Sequence, residues 1–227
     1  MEEACPRSIR GARCSARHFP FFIFHLPFLL GLGTALCGCS YLLPLAFLPE
    51  PKQKVAPEFD KLAGTRTLVL VWADPATLFD YPYVRLELAT YVGDKIAAEL
   101  KTTKLVDPIR VADSGERSLD APTDPQTVAR EFDADMVVYL ELLRFQIRDP
   151  EAPDYLRAQI EASVAVYDLK ADPDEPKVYQ LKPVDVVYPE HGGILFNASN
   201  STQVRQAAYV LFAEQVARKF YEHEEKL

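Results

Sequence analysis

The sequence predicts an α+β domain with the element order βαβαβββα, in which a mixed β-sheet carries helices on one face. Three segments lead to this prediction. Apolar and polar residues alternate from Ala158 to Val166, as in a strand with one buried face. Apolar residues recur every three to four positions from Val84 to Leu100 and from Val204 to Phe220, as in helices with one buried face. Together they predict a two-layer domain.

The domain begins with a strand over residues 67–72 that is apolar on both faces, which predicts a central, covered strand. Asp74-Pro75 is expected to break this strand. A helix over residues 83–102 follows and presents the stripe that begins at Val84. Residues 105–112 are expected to form a short strand at a sheet edge, because they contain Pro108.

A second helix is predicted to end near Phe132. Either Thr123 or Asp124 caps it, and Pro125 lies in its first turn. A long strand over residues 136–147 follows.

The last three elements are the alternating strand over residues 158–167, a returning strand over residues 177–188 and a helix over residues 201–222. Pro183 predicts a bulge or an open edge in the returning strand. Capping groups for the helix are expected between Ser199 and Thr202. The predicted buried stripe of the helix is Val204, Ala208, Leu211, Phe212, Val216 and Phe220.

The N-terminus has the pattern of an export signal. Arg7, Arg10, Arg13 and Arg17 precede an apolar run over residues 19–36, which ends in Leu36-Cys37-Gly38-Cys39. This ending resembles the lipobox of bacterial lipoproteins. The resemblance implies cleavage between Gly38 and Cys39 and attachment of lipid to Cys39. The alternative is an uncleaved membrane helix, because apolar residues continue to Leu48. Either way the arginines favour export of the C-terminal part.

Three regions are therefore expected: a signal peptide over residues 1–38, a lipidated N-terminus with a proline-rich linker over 39–66, and a periplasmic domain over 67–227. The apolar part of the linker, Tyr41 to Leu48, either lies in the lipid head-group layer or is disordered. Ser40 follows the lipidated cysteine, and by the sorting rule of such lipoproteins this implies the outer membrane, facing the periplasm.

Composition restricts the partners. Residues 39–227 contain 21 Lys and Arg against 31 Asp and Glu, a net charge of −10. This charge argues against nucleic acid and against electrostatic binding to an anionic membrane. All four cysteines lie at or before residue 39, so no disulfide is expected in the domain.

No catalytic residue, metal site or cofactor is predicted, because the expected domain lacks nucleophile, zinc-binding and phosphate-binding motifs. His191 and His223 are interpreted as surface residues. Trp72, Tyr81 and Tyr83 surround the break after the first strand. They form either a partner-binding edge or core packing.

The order of elements resembles the N-terminal domain of TolB and the periplasmic domains of CsgG-like lipoproteins. The similar stretches are Leu68–Trp72, Ala97–Leu100, Leu105–Asp107, Phe132–Asp135 and Val137–Leu140. The lipobox-like ending, the linker and the acidic domain, rather than this resemblance, predict a non-enzymatic, lipid-anchored envelope protein that binds another envelope component as an adaptor or assembly factor. The alternative is a component of a secretion pore or an auxiliary subunit of an ABC-type lipid transporter.

Overall fold

The computed structural model describes residues 52–113, 124–149, 151–170, 172 and 177–226. It confirms the α+β class. The strands are β1 (Lys52–Val55), β2 (Arg66–Trp72), β3 (Lys104–Leu105), β4 (Met136–Arg148), β5 (Tyr155–Asp168), β6 (Lys177–Tyr188), β7 (Ile194–Leu195) and β8 (His223–Lys226). The helices are α1 (Pro75–Asp80), α2 (Val84–Glu99), α3 (Pro108–Asp113), α4 (Pro125–Glu131) and α5 (Ala198–Ala217), and a 3₁₀ turn (Arg218–Phe220) follows α5.

The main sheet is mixed and has the strand order β3-β2-β4-β5-β6, with β7 paired to β5. β2 is parallel to both β3 and β4, whereas β4, β5 and β6 form an antiparallel meander. β6 has the predicted bounds and lies at an edge. Its pairing with β5 shifts register between Ala162 and Val164, next to Pro183, so the predicted bulge is also present.

The larger core lies between the sheet and the two long helices. The five alternating residues of β5 that begin at Ala158 are fully buried here. Val84, Leu88, Val92 and Ile96 of α2 pack against this face, as the helical stripe predicted. Burial of these two stripes against each other explains why α2 and β5 could be recognised from the sequence.

A smaller core lies on the opposite face, where the prediction of helices on one face only is wrong. Leu68, Leu70 and Val137 are buried there beneath Val111 of α3 and Val128 of α4. The physical reason is that β2 is apolar on both faces and both must be covered. The short helices therefore form a partial third layer at this end of the sheet.

The fold begins before the predicted domain start. β1 pairs antiparallel with β8 at the other end of the chain, with Lys52 opposite Lys226. Phe59 and Leu62 are buried in the larger core. Its prolines predicted a linker over residues 39–66, but the residues from Lys52 onward belong to a compact unit that spans Lys52–Leu227.

Two prolines begin helices that the sequence did not predict. β2 ends before Asp74-Pro75, as predicted, and Asp74 also accepts hydrogen bonds from the N–H groups of Ala76 and Thr77 and caps α1. Pro108 begins α3, so the predicted strand is reduced to β3, which does lie at a sheet edge. Proline is well suited to the first helical turn because its missing N–H has no partner there.

The last helix also differs in its bounds and its orientation. It begins at Ala198, where the side chain of Asn197 accepts a hydrogen bond from the N–H of Asn200 at 2.7 Å, so the cap precedes the predicted segment. Leu211 was expected in the core but is 40% exposed, whereas Tyr209 is buried. The hydroxyl of Tyr209 donates to Glu87 at 2.8 Å, which satisfies its polar end.

Candidate interaction surface

The predicted lipidation site, Gly38 and Cys39, lies outside the described residues. The turn after β2, interpreted as either a partner-binding edge or core packing, lies within them. No helix in the described part of the chain has the length and apolar character needed to span a bilayer.

The turn after β2 exposes two aromatic side chains. Phe79, in the last turn of α1, is 88% exposed, and Tyr83, before α2, is 69% exposed. Tyr81 between them is half-buried, and its ring meets that of Phe145 edge-on at 4.8 Å. Tyr81 therefore packs on the core, as one interpretation expected, whereas Phe79 and Tyr83 project outward.

A second group of exposed apolar residues lies at the start of β5 and in β7. Tyr155 pairs with Leu195 across these strands, and Phe196 follows. All three are exposed. The guanidinium of Arg148 lies 3.9 Å from the centre of the Phe196 ring, a cation–π contact. Gly193 supports this arrangement, since a Cβ there would lie 2.8 Å from the Cβ of Tyr155.

Arg148 connects the two groups. Burial raises the pKa of Tyr81, the charge of Asp80 raises it further, and the positive charges of Arg148 and Arg205 oppose the shift. Arg148 therefore acts on the pKa of Tyr81 in the first group and stacks on Phe196 in the second. We define the aromatic patch as five residues: Phe79, Tyr83, Tyr155, Leu195 and Phe196.

The aromatic patch lies at one end of the domain. Contacts of Glu87 with Arg205 and of Lys95 with Glu214 show that α2 and α5 run parallel, so both helices begin at this end. Half of the ten exposed large hydrophobic side chains among the described residues belong to the patch. Exposed aromatic rings lose water readily on contact and are common energetic centres of protein interfaces.

The uncovered part of the sheet offers a different chemistry. Gln159 joins three strands here, because its amide oxygen accepts from Gln146 at 3.2 Å and its amide nitrogen donates to Asp185 at 3.4 Å. Ser163 donates to Glu141 at 3.4 Å on the same face. These polar groups bind one another laterally, so this face is polar and partnered.

Trp72 contributes to neither surface. Its indole Nε1 is buried and has no hydrogen-bond partner. On the neighbouring strand, Tyr139 packs edge-on against Tyr167 at 6.1 Å. Burial raises the pKa of Tyr139 to about 12, and the charge of Glu141 adds to this effect. Tyr139 is therefore neutral across the physiological range.

No group of three metal-binding side chains occurs within the described ranges. His191 is exposed, and His223 lies in β8, where its Nδ1 is 3.2 Å from the carbonyl oxygen of Tyr221.

No family model matches the sequence, and no curated protein matches it. The solved structures that it resembles include the PelC dodecamer from Paraburkholderia phytofirmans, with 6% identity, a TM-score of 0.43, and 75% of this chain and 98% of that chain covered. Lipoprotein GNA1162 from Neisseria meningitidis has 11% identity, a TM-score of 0.35, and 67% and 96% covered. A minor lipoprotein from Acinetobacter baumannii has 12% identity and a TM-score of 0.30, and the match covers 69% of this chain and 91% of that chain. These TM-scores lie below 0.5 and define neither a family nor a function for this chain.

Sequence reasoning identified only Tyr83 of the patch. Phe79 lies in α1, a helix that was not predicted. The pairing of β5 with β7 brings Tyr155, Leu195 and Phe196 together. A detectable signal was the Leu195-Phe196 pair, which directly precedes a helix cap.

Proposed function

We propose that this protein is a non-enzymatic, lipid-anchored protein of the bacterial envelope whose folded domain binds another envelope protein through the aromatic patch. The observation that carries the proposal is the concentration of five exposed apolar side chains at one end of the domain. The Leu36–Cys39 lipobox and the preceding arginines support export and anchoring.

The patch and the start of the described chain lie at opposite ends of the domain. The chain enters the described fold at β1, beside β8, which follows the C-terminal end of α5. The patch lies at the opposite end of this helix. A helix of 20 residues is about 30 Å long. The described chain therefore begins at the end of the domain opposite the patch, which leaves the patch accessible to a protein partner.

Lipid attachment is tested by changing Cys39→Ser and following metabolic fatty-acid labelling. Loss of the label with retention of the uncleaved precursor is expected, because the thiol is the acceptor. Labelling that survives the change rules out the anchor. Density-gradient fractionation then tests the outer-membrane location suggested by Ser40, and co-migration with inner-membrane markers alone contradicts it.

Partner binding is tested by capturing proteins from envelope extracts with an immobilised fragment of residues 52–227. Phe79→Ser and Phe196→Ser should each reduce capture, and Phe79→Ser should do so without lowering the melting temperature, because Phe79 is 88% exposed. Ile109→Ser is the matched control, since Ile109 is exposed but lies on α3. If both patch variants capture the same proteins in the same amounts as the control, the patch is not the binding surface.

A further inference from the structure

The outer face of α5 carries no charge. Eight residues of this 20-residue helix are exposed, and all are uncharged: Ala198, Ser199, Thr202, Gln203, Gln206, Val210, Leu211 and Gln215. In α2, by contrast, the exposed residues include Asp94 and Glu99. Exposed helix faces are usually charged, and charge keeps such surfaces soluble and apart.

The two charged residues of α5 are engaged within the domain. Arg205 lies 3.7 Å from Glu87. Glu214 lies 2.6 Å from Lys95 and accepts a hydrogen bond from Arg218 at 3.0 Å. Burial alone would raise the pKa of Glu214, but its bonds to Lys95 and Arg218 hold the pKa below its usual value. These charges are therefore directed toward α2 and the end of the helix.

The apolar pattern of α5 extends beyond what the domain buries. Val210 is 56% exposed and Leu211 is 40% exposed. Leu211 continues the apolar stripe of the sequence, yet Tyr209 takes the core position. A residue that fits the apolar pattern of its helix but is not buried in the single domain is expected at a functional surface.

We propose that this outer face of α5 binds the same face of a second copy of the protein. A two-fold axis sets each residue near its own counterpart, so a charged residue at the centre would meet a like charge. Residues 39–227 carry a net charge of −10, and copies of the domain repel one another over most approaches. The α5 face avoids this repulsion, and its glutamine amides can both donate and accept across the axis.

The contact is weak because it is small. A helix about 30 Å long and about 10 Å wide offers roughly 300 Å² of surface, against about 800 Å² per partner in a standard stable interface. Dimers therefore form at high local concentration, such as that of tethered copies on one membrane. This proposal does not depend on the aromatic patch, which lies at the helix start.

Cross-linking with single cysteines tests the contact, since residues 52–227 contain no cysteine. Val210→Cys should give a dimer with a short bismaleimide, and adding Leu211→Glu should abolish it. Ile109→Cys is the matched control, because Ile109 is equally exposed, at 56%, on a different helix. Equal yields from Val210→Cys and Ile109→Cys overturn the proposal.

Sedimentation equilibrium of the same fragment provides an independent readout. Leu211→Glu should raise the dimer Kd at least about tenfold, equivalent to about 1.4 kcal/mol, while Phe79→Ser leaves it unchanged. A fragment that stays monomeric at every concentration overturns the proposal. The cross-linking is repeated with a longer fragment, residues 39–227, that carries Cys39→Ser. Loss of the cross-link in this fragment also overturns the proposal, because the apolar segment Tyr41–Leu48 would then occupy the face.

Discussion

Replacing Phe212 or its neighbour Leu211 by alanine tests the orientation of α5. Phe212 is fully buried in the larger core, so Phe212→Ala removes a whole ring and leaves a cavity. Such changes cost about 3–5 kcal/mol. Leu211 is 40% exposed, and water fills the space that its side chain leaves. Leu211→Ala removes three carbons, each worth about 0.8 kcal/mol when fully buried, and should cost about 1 kcal/mol.

Urea unfolding of residues 52–227 measures the difference, with Trp72, the only tryptophan, as the fluorescent probe. With a slope of about 2 kcal/mol per molar urea, Phe212→Ala should lower the midpoint by roughly 1.5–2.5 M. Leu211→Ala should lower it by about 0.5 M. Protein at low concentration keeps association through α5 out of the comparison. Similar shifts for the two variants would refute this orientation.

Three further changes test other parts of the fold. Leu62→Ala should lower the free energy of unfolding in urea by about 2–5 kcal/mol, because Leu62 is fully buried. A change near zero would mean that Leu62 belongs to the linker and not to the core. The carboxyl of Glu214 has a lowered pKa in the folded protein, so its stabilising effect is present above its unfolded pKa of about 4.3 and is lost as pH falls through the folded value. Acid should therefore destabilise the wild type more steeply than Glu214→Gln, and parallel pH profiles would contradict this. Gly193→Ala should lower the melting temperature, since its Cβ meets that of Tyr155 at 2.8 Å; an unchanged value would mean that the loop adjusts.

The elements that could be predicted are those whose pattern is local. The alternation in β5 and the stripe of α2 each contain their own period, and both formed the expected core face. Even the bounds of β6 agree, because turn-forming residues flank it on both sides. Such elements need no information about distant parts of the chain.

The elements that escaped prediction depend on distant partners. β1 is recognisable only through its pairing with β8, as at Lys54 and Glu224, about 170 residues apart. The rotation of α5 about its axis depends on Glu87, which accepts a hydrogen bond from the hydroxyl of Tyr209. This bond allows Tyr209, rather than Leu211, to take the buried position. The aromatic patch is formed by residues from three separate segments of the chain, so no single segment predicts the whole patch. Lipidation at Cys39 stays a prediction.

Because Lys52 and Lys226 are opposite each other in an antiparallel pair, their Cα atoms lie only about 5 Å apart. The beginning and the end of the described fold could therefore be joined by a few residues, and the chain opened instead at the β4–β5 hairpin. Such a circular permutant would keep every strand pairing while moving the point of attachment to the end that bears the aromatic patch. The first residue of the permuted chain would then lie beside the aromatic patch instead of at the opposite end of α5.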